Sequence, residues 1–259
     1  MIKYTLVISL LLLFSCKNQP ANNTNLLADN KIEKKVTKKK TITFPSKDGL
    51  PITADIYNAN ETSKWILLCH QAGYSRGEYI DTALELSKLG YSVMAIDQRS
   101  GNEVNNIKNE TKLAAIKKGL GVNFLDAKQD IVAAIDFIYT QNGGKKIVLV
   151  GSSYSASLSL LIGLNNSKIK AVAAFSPGEY FKSIDINKSI SSYKKPVFVT
   201  SSLRESEGVK TLINKIDTTF STHFIPKVTG IHGSRALWKT TDGYKTYWAS
   251  FNSFLTSVK

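Results

Sequence analysis

Apolar positions along this chain switch between strand and helix spacing from about residue 40 onward. Thr41–Phe44 and Ile52–Tyr57 read as strands flanking a turn at Lys47-Asp48-Gly49. Trp65–Cys69 is a continuous apolar run, as expected of a strand buried on both faces. From Tyr79 to Leu89 apolar residues recur at helical spacing, and Gly90 supplies the stop signal. Tyr91–Ile96 is the next buried strand. Phe124 to Tyr139 reads as an amphipathic helix closed by Asn142-Gly143-Gly144, Ile147–Val150 as a strand, and Ala156–Leu164 as a helix. Ile169–Phe175, Pro196–Thr200 and His223–Val228 supply three more strands, and helices over Ser206–Ile216 and Asp242–Leu255 complete the series. Short connections between alternating elements predict an α/β fold. Its mostly parallel sheet has eight strands, with helices on both faces, in one domain over residues 41–259. The Asn- and Lys-rich stretch Gly101–Gly121 has room for one short helix and sits where a lid could cover a site.

The first 40 residues follow a different pattern. Met1-Ile2-Lys3 is basic, and Tyr4 to Phe14 is apolar but shorter than the roughly 20 residues that span a bilayer. Leu13-Phe14-Ser15-Cys16 closes the run and resembles a bacterial lipobox. The resemblance implies a lipoprotein signal peptide over 1–15 and a lipid on Cys16. It also implies export to a bacterial membrane, facing the periplasm or the cell surface. Residues 16–40 read as a polar tether, with six lysines between Lys31 and Lys40.

Composition narrows the function classes. The net charge of +14 comes from lysines spread along the whole chain, with no nucleic-acid motif, so basicity supports only a weak preference for anionic surfaces. With Cys16 lipidated, Cys69 has no partner for a disulfide, and its apolar surroundings predict a buried strand residue. The sequence carries no HExxH zinc motif and no glycine-rich nucleotide fingerprint, so neither metal nor cofactor is expected.

The stretch with most chemistry is Gly151-Ser152-Ser153-Tyr154-Ser155, between a predicted strand and a predicted helix. It matches the G-x-S-x-G nucleophile elbow except at its last position, where Ser155 replaces glycine. Ser153 is the candidate nucleophile. His232, after the last strand, is the candidate base; only His70 and His223 compete with it. The acid candidates are Glu205, in the loop after Pro196–Thr200, with Glu207 and Glu179 as alternatives. An oxyanion site needs backbone N–H donors. Tyr154 supplies one by position. The loop His70-Gln71-Ala72-Gly73-Tyr74 supplies the other, from Ala72 or Gln71. His70 itself reads as a structural loop residue.

Cys69-His70-Gln71-Ala72-Gly73, Asp97-Gln98-Arg99-Ser100-Gly101, Gly151–Ser155 and His232-Gly233 together resemble the α/β-hydrolase superfamily, in its dienelactone hydrolase-like and serine-peptidase-like branches. The resemblance covers about Thr41 to Val258. It implies a serine hydrolase that cleaves ester, or amide, bonds of a small acylated substrate through an acyl-enzyme. Dienelactone hydrolases carry a cysteine nucleophile, so their substrate does not transfer to this serine. Ser155 and a glutamate in place of aspartate leave one alternative open: a lipid-anchored binding or accessory protein that kept the fold without the activity.

Overall fold

A computed structural model describes Met1, residues 39–57 and residues 64–258. The expected signal peptide, Cys16 and nearly all of the expected tether lie outside the described residues. An eight-stranded sheet organises the rest. Its strands are β1 (Lys39–Pro45), β2 (Pro51–Tyr57), β3 (Trp65–Cys69), β4 (Ser92–Ile96), β7 (Ile147–Ser152), β8 (Ile169–Phe175), β9 (Val197–Thr200) and β10 (Ser221–Phe224). They lie in the order β1-β2-β4-β3-β7-β8-β9-β10. The pairs β1–β2 and β2–β4 are antiparallel, and all others are parallel. The chain leaves β3 toward β4, then returns across it to β7. The carboxyl ends of β3 and β7 therefore form a switch point, where ligands of open α/β sheets bind.

Side-chain alternation along the strands builds two cores. Leu67, Cys69, Met94 and Leu149 face one side, with α3 (Lys128–Gln141) and α4 (Tyr154–Asn165). Ile66, Leu68, Val93 and Val150 face the other, with α1 (Ile80–Lys88) and α7 (Tyr244–Ser257). Cys69 is buried with a free thiol, and burial pushes that thiol's pKa up. One buried ion-pair network joins the antiparallel edge to the parallel centre. Arg99 is held by Asp130, with Nη2 2.7 Å from Oδ1, and by Asp48, with Nη1 2.8 Å from Oδ2. Removing one partner would leave a buried charge uncompensated.

Several boundaries differ from the sequence reading. The first strand starts at Lys39, two residues inside the expected tether, because Lys39 and Thr41 both reach Asp55 on β2 (3.2 and 2.6 Å). The helix expected from Phe124 starts at Lys128. Phe124 instead leaves the helix line and stacks on Tyr154, ring centroids 4.4 Å apart. The last strand runs Ser221–Phe224 rather than His223–Val228, because its register with β9 ends at Thr200 and Pro226 has no N–H to continue the ladder. The Gly101–Gly121 stretch holds a small hairpin, β5 (Glu103–Val104) and β6 (Ile107–Lys108), then α2 (Glu110–Lys117). Asn105 and Asn106, both at positive φ, make its turn. The short α5 (Ile186–Ser189) and α6 (Ser206–Ile213) complete the set.

Candidate active site

β7 runs straight into the turn that presents Ser153. The Ser153 backbone has φ 59° and ψ −124°, a region that non-glycine residues rarely occupy. Its N–H donates to Phe175 O at 2.8 Å, which fastens the strained residue to the end of β8. Gly151 is required by close approach, since a Cβ there would lie 2.3 Å from Ser155 O. The last position of the motif has a definite use. Ser155 Oγ donates to Cys69 O at 2.7 Å on β3 and accepts from Ser152 N–H at 2.9 Å. The serine that replaces glycine thus fits the turn and ties it to the neighbouring strand.

His232 and Glu205 meet. His232 Nδ1 is hydrogen-bonded to Glu205 Oε1, and both side chains are about one third exposed (34% and 33%). The other carboxylate oxygen accepts from Ser176 Oγ (2.9 Å), Ser202 Oγ (2.8 Å) and Ser202 N–H (3.2 Å). Burial acts to raise the Glu205 pKa, but the hydrogen bonds from His232 and the serines, with the charge of His232, lower it to about 2. A carboxylate on Nδ1 fixes the tautomer and leaves Nε2 free to take a proton. Glu207 and Glu179 lie apart from this pair. Glu207 is exposed on α6, 3.8 Å from Lys210 Nζ. Glu179 accepts the Ile186 and Asn187 N–H groups at 2.8 and 2.9 Å, and so caps α5.

The His232 loop is docked on the elbow. Ser234 N–H donates to Ser152 Oγ at 2.8 Å, and Gly233 N–H donates to Ser176 Oγ at 2.9 Å. Gly233 has φ 74°, and a Cβ on it would lie 2.6 Å from Ser152 Oγ. Ser153 therefore directly follows one of these contact residues, Ser152, and His232 directly precedes another, Gly233. Among the described residues no hydrogen bond joins Ser153 to His232, a contact that is often long in unliganded enzymes. The Ser153 side chain interacts instead with the Tyr180 hydroxyl, which donates to Ser176 O at 2.9 Å.

The two donor candidates in the β3 loop differ. Gln71 N–H donates to the buried carboxyl of Glu78 at 2.8 Å, so it is already committed within the protein and is not free for an oxyanion. Among the described residues, the Ala72 and Tyr154 N–H groups meet no protein acceptor. His70 is fully buried, with Nδ1 2.8 Å from Gln71 O and Nε2 accepting from Gln98 N–H at 3.0 Å. Burial lowers its pKa to about 4. Glu78, Ser152, Ser176, Ser234 and Tyr180 escaped the sequence reading. Isolated serines and a glutamate on a helical turn carry no spacing signal. Among the described residues, no three His, Cys, Asp or Glu side chains cluster as metal ligands would.

Residues 60–228 match the family model described as serine aminopeptidase, S33. No curated protein matches the chain in sequence. Solved structures with the same fold include an esterase of Pyrococcus furiosus, at 17% identity and TM-score 0.66, covering 86% of this chain and 91% of that one. A dienelactone hydrolase from Anabaena variabilis follows at 14% identity and TM-score 0.63, covering 84% and 95%. An acetyl xylan esterase from Paenibacillus sp. R4 is 13% identical, with TM-score 0.64, covering 88% and 86%.

Proposed function

We propose a serine hydrolase mechanism from one premise: the chain belongs to the serine aminopeptidase S33 family, and so to the α/β-hydrolases. The observation that carries the proposal is the His232–Glu205 pair, with His232 on a loop bonded to Ser152, the residue before a strained Ser153. Ser153 Oγ attacks the carbonyl carbon of an ester while His232 Nε2 takes its proton. The Tyr154 and Ala72 N–H groups stabilise the tetrahedral oxyanion. Collapse of the intermediate breaks the bond to the leaving alcohol, which receives the proton from His232 and leaves an acyl-serine. Water, deprotonated by His232, attacks the acyl-serine. Collapse of this second tetrahedral intermediate breaks the bond to Ser153 Oγ, which regains the proton from His232, and releases the carboxylic acid. Glu205 stays a carboxylate throughout, because its pKa near 2 lies far below working pH.

The substrate class is a small ester or an acylated small molecule. A cavity of about 410 Å³ lies against the acid side of the pair, lined in part by Ser176, Tyr180, Arg204, Glu205 and Leu212. Amide cleavage uses the same steps with a poorer leaving group, and the family description favours including it in any assay. The fit of Ser155 into the elbow supports an active enzyme, because the departure from glycine leaves the turn intact. Lipid attachment at Cys16, with export to a bacterial membrane, remains part of the proposal; incorporation of a fatty-acid probe that Cys16→Ser abolishes is its check.

The test is turnover of short p-nitrophenyl esters and of aminoacyl p-nitroanilides by the wild type and Ser153→Ala. Hydrolysis by the wild type that vanishes in the variant is the expected result. Turnover unchanged in Ser153→Ala removes Ser153 from its role, and no turnover by the wild type favours a binding or accessory protein.

A further inference from the structure

Glu78 sits on the 3₁₀ turn Arg76–Tyr79 that leads into α1, and it is 1% exposed. A carboxyl group this deep costs free energy unless its lone pairs are satisfied. Here three donors converge on it from three separate segments of the chain. Oε2 accepts the Gln71 N–H at 2.8 Å, Oε1 accepts the Ser152 hydroxyl at 2.9 Å, and the Ser234 hydroxyl also donates to Oε1. The cluster closes on itself, because Ser152 Oγ in turn accepts the Ser234 N–H at 2.8 Å. Glu78 is also held at its backbone, where Trp238 Nε1 donates to its carbonyl at 2.9 Å. Burial raises the Glu78 pKa, and its partners Ser234, Gln71 and Ser152 work against that rise.

Each partner adjoins a different part of the proposed machinery. Gln71 precedes Ala72, the free donor of the oxyanion loop. Ser152 precedes Ser153. Ser234 lies two residues after His232. We infer that Glu78 is a positioning residue: its buried carboxyl holds the oxyanion loop, the elbow and the histidine loop in one register. The inference rests on the hydrolase reading above, since only that reading gives the register a purpose. An apolar side chain of similar size would fill the same space and release all three loops. A glutamine would keep the shape and can still accept the Gln71 N–H, but it loses the carboxylate charge. Its NH2 also reverses both serine bonds, so that the Ser152 and Ser234 hydroxyls must accept instead of donate.

The experiment compares wild type, Glu78→Gln and Ser234→Ala, with active sites titrated by a fluorophosphonate so that kcat is counted per reactive serine. Displacement of reacting groups on the ångström scale costs up to about a hundredfold, so kcat per titrated site should fall about tenfold to a hundredfold in Glu78→Gln. KM should change far less, because substrate binding does not use Glu78. Ser234→Ala loses one of the three donors and should fall less. Amide hydrogen exchange, which needs no turnover, should quicken at Gln71, Gly233 and Ser234 in Glu78→Gln, and at Gly233 and position 234 in Ser234→Ala, because these N–H groups are hydrogen-bonded in the wild type. A fall only in the number of titratable sites, with kcat per site unchanged, reduces Glu78 to a fold-stabilising residue and overturns the inference. Unchanged exchange in these loops overturns it as well. If Glu78→Gln does not fold, Ser234→Ala decides by the same two readouts. If the wild type neither turns over nor labels, the hydrolase reading fails, while the exchange measurement still decides whether the tie exists.

Discussion

Two loops at the carboxyl edge of the sheet each carry a histidine, and their surroundings assign them opposite tasks. His70, after β3, is fully buried, and both ring nitrogens are occupied by backbone groups. His232, after β10, is about one third exposed and has one nitrogen on a carboxylate. A histidine with no free nitrogen and a pKa near 4 holds a loop in place and cannot carry a proton for a substrate. A histidine with one nitrogen fixed and the other open can. Chain position alone places both at strand ends; partner and exposure separate them.

Replacing each histidine breaks the comparison most directly. Without its base, the hydrolase should lose about 10⁴ to 10⁶ in kcat in His232→Ala, while thermal unfolding stays close to wild type. Glu205→Gln should cost about 10² to 10⁴ in kcat, because a carboxamide does not hold the imidazole tautomer or stabilise the imidazolium. Steady-state kinetics on one p-nitrophenyl ester measures both.

His70→Ala should do the reverse, with a stability loss of about 2–4 kcal/mol in urea unfolding, from a cavity and an orphaned Gln98 N–H. The pH dependence sharpens this. The folded-state pKa of His70 lies below its unfolded value of 6.5, at about 4. Its contribution is therefore complete above pH 6.5 and is lost as the pH falls toward 4. That contribution amounts to roughly 3 kcal/mol over the window. Urea titrations at several pH values should show a flatter dependence over that range in His70→Ala than in wild type. A parallel dependence would mean that the buried imidazole is not the group responsible.

The smallest effect concerns the elbow's departure from glycine. Ser155→Gly restores the family residue but loses the link to Cys69 O. It should cost about 1–2 kcal/mol of stability with kcat little changed. A gain in stability would show that the serine strains the turn.

The strained turn at Ser153, the chain order of the proposed Ser153, Glu205 and His232, and the eight strands were legible in the sequence because each leaves a local pattern: Gly151 and Ser153 after an apolar run, His232 after the last strand. Glu205 was legible only as one of three glutamates; its capping-box bonds with Ser202 are local, but its bond from Ser176 and its meeting with His232 depend on strands remote in sequence lying side by side. Of the two donors proposed for the oxyanion loop, Gln71 drops out because a buried Glu78, remote in sequence from the elbow, takes its N–H. Helix onset at Lys128 was misread because Phe124 keeps helical spacing while serving a tertiary contact with Tyr154.

The most direct test of the central claim is the site of covalent reaction with a fluorophosphonate, read by peptide mass spectrometry. The predicted result is one adduct on Ser153, absent in Ser153→Ala and strongly slowed in His232→Ala. An adduct on another residue, or labelling that persists in Ser153→Ala, would contradict it.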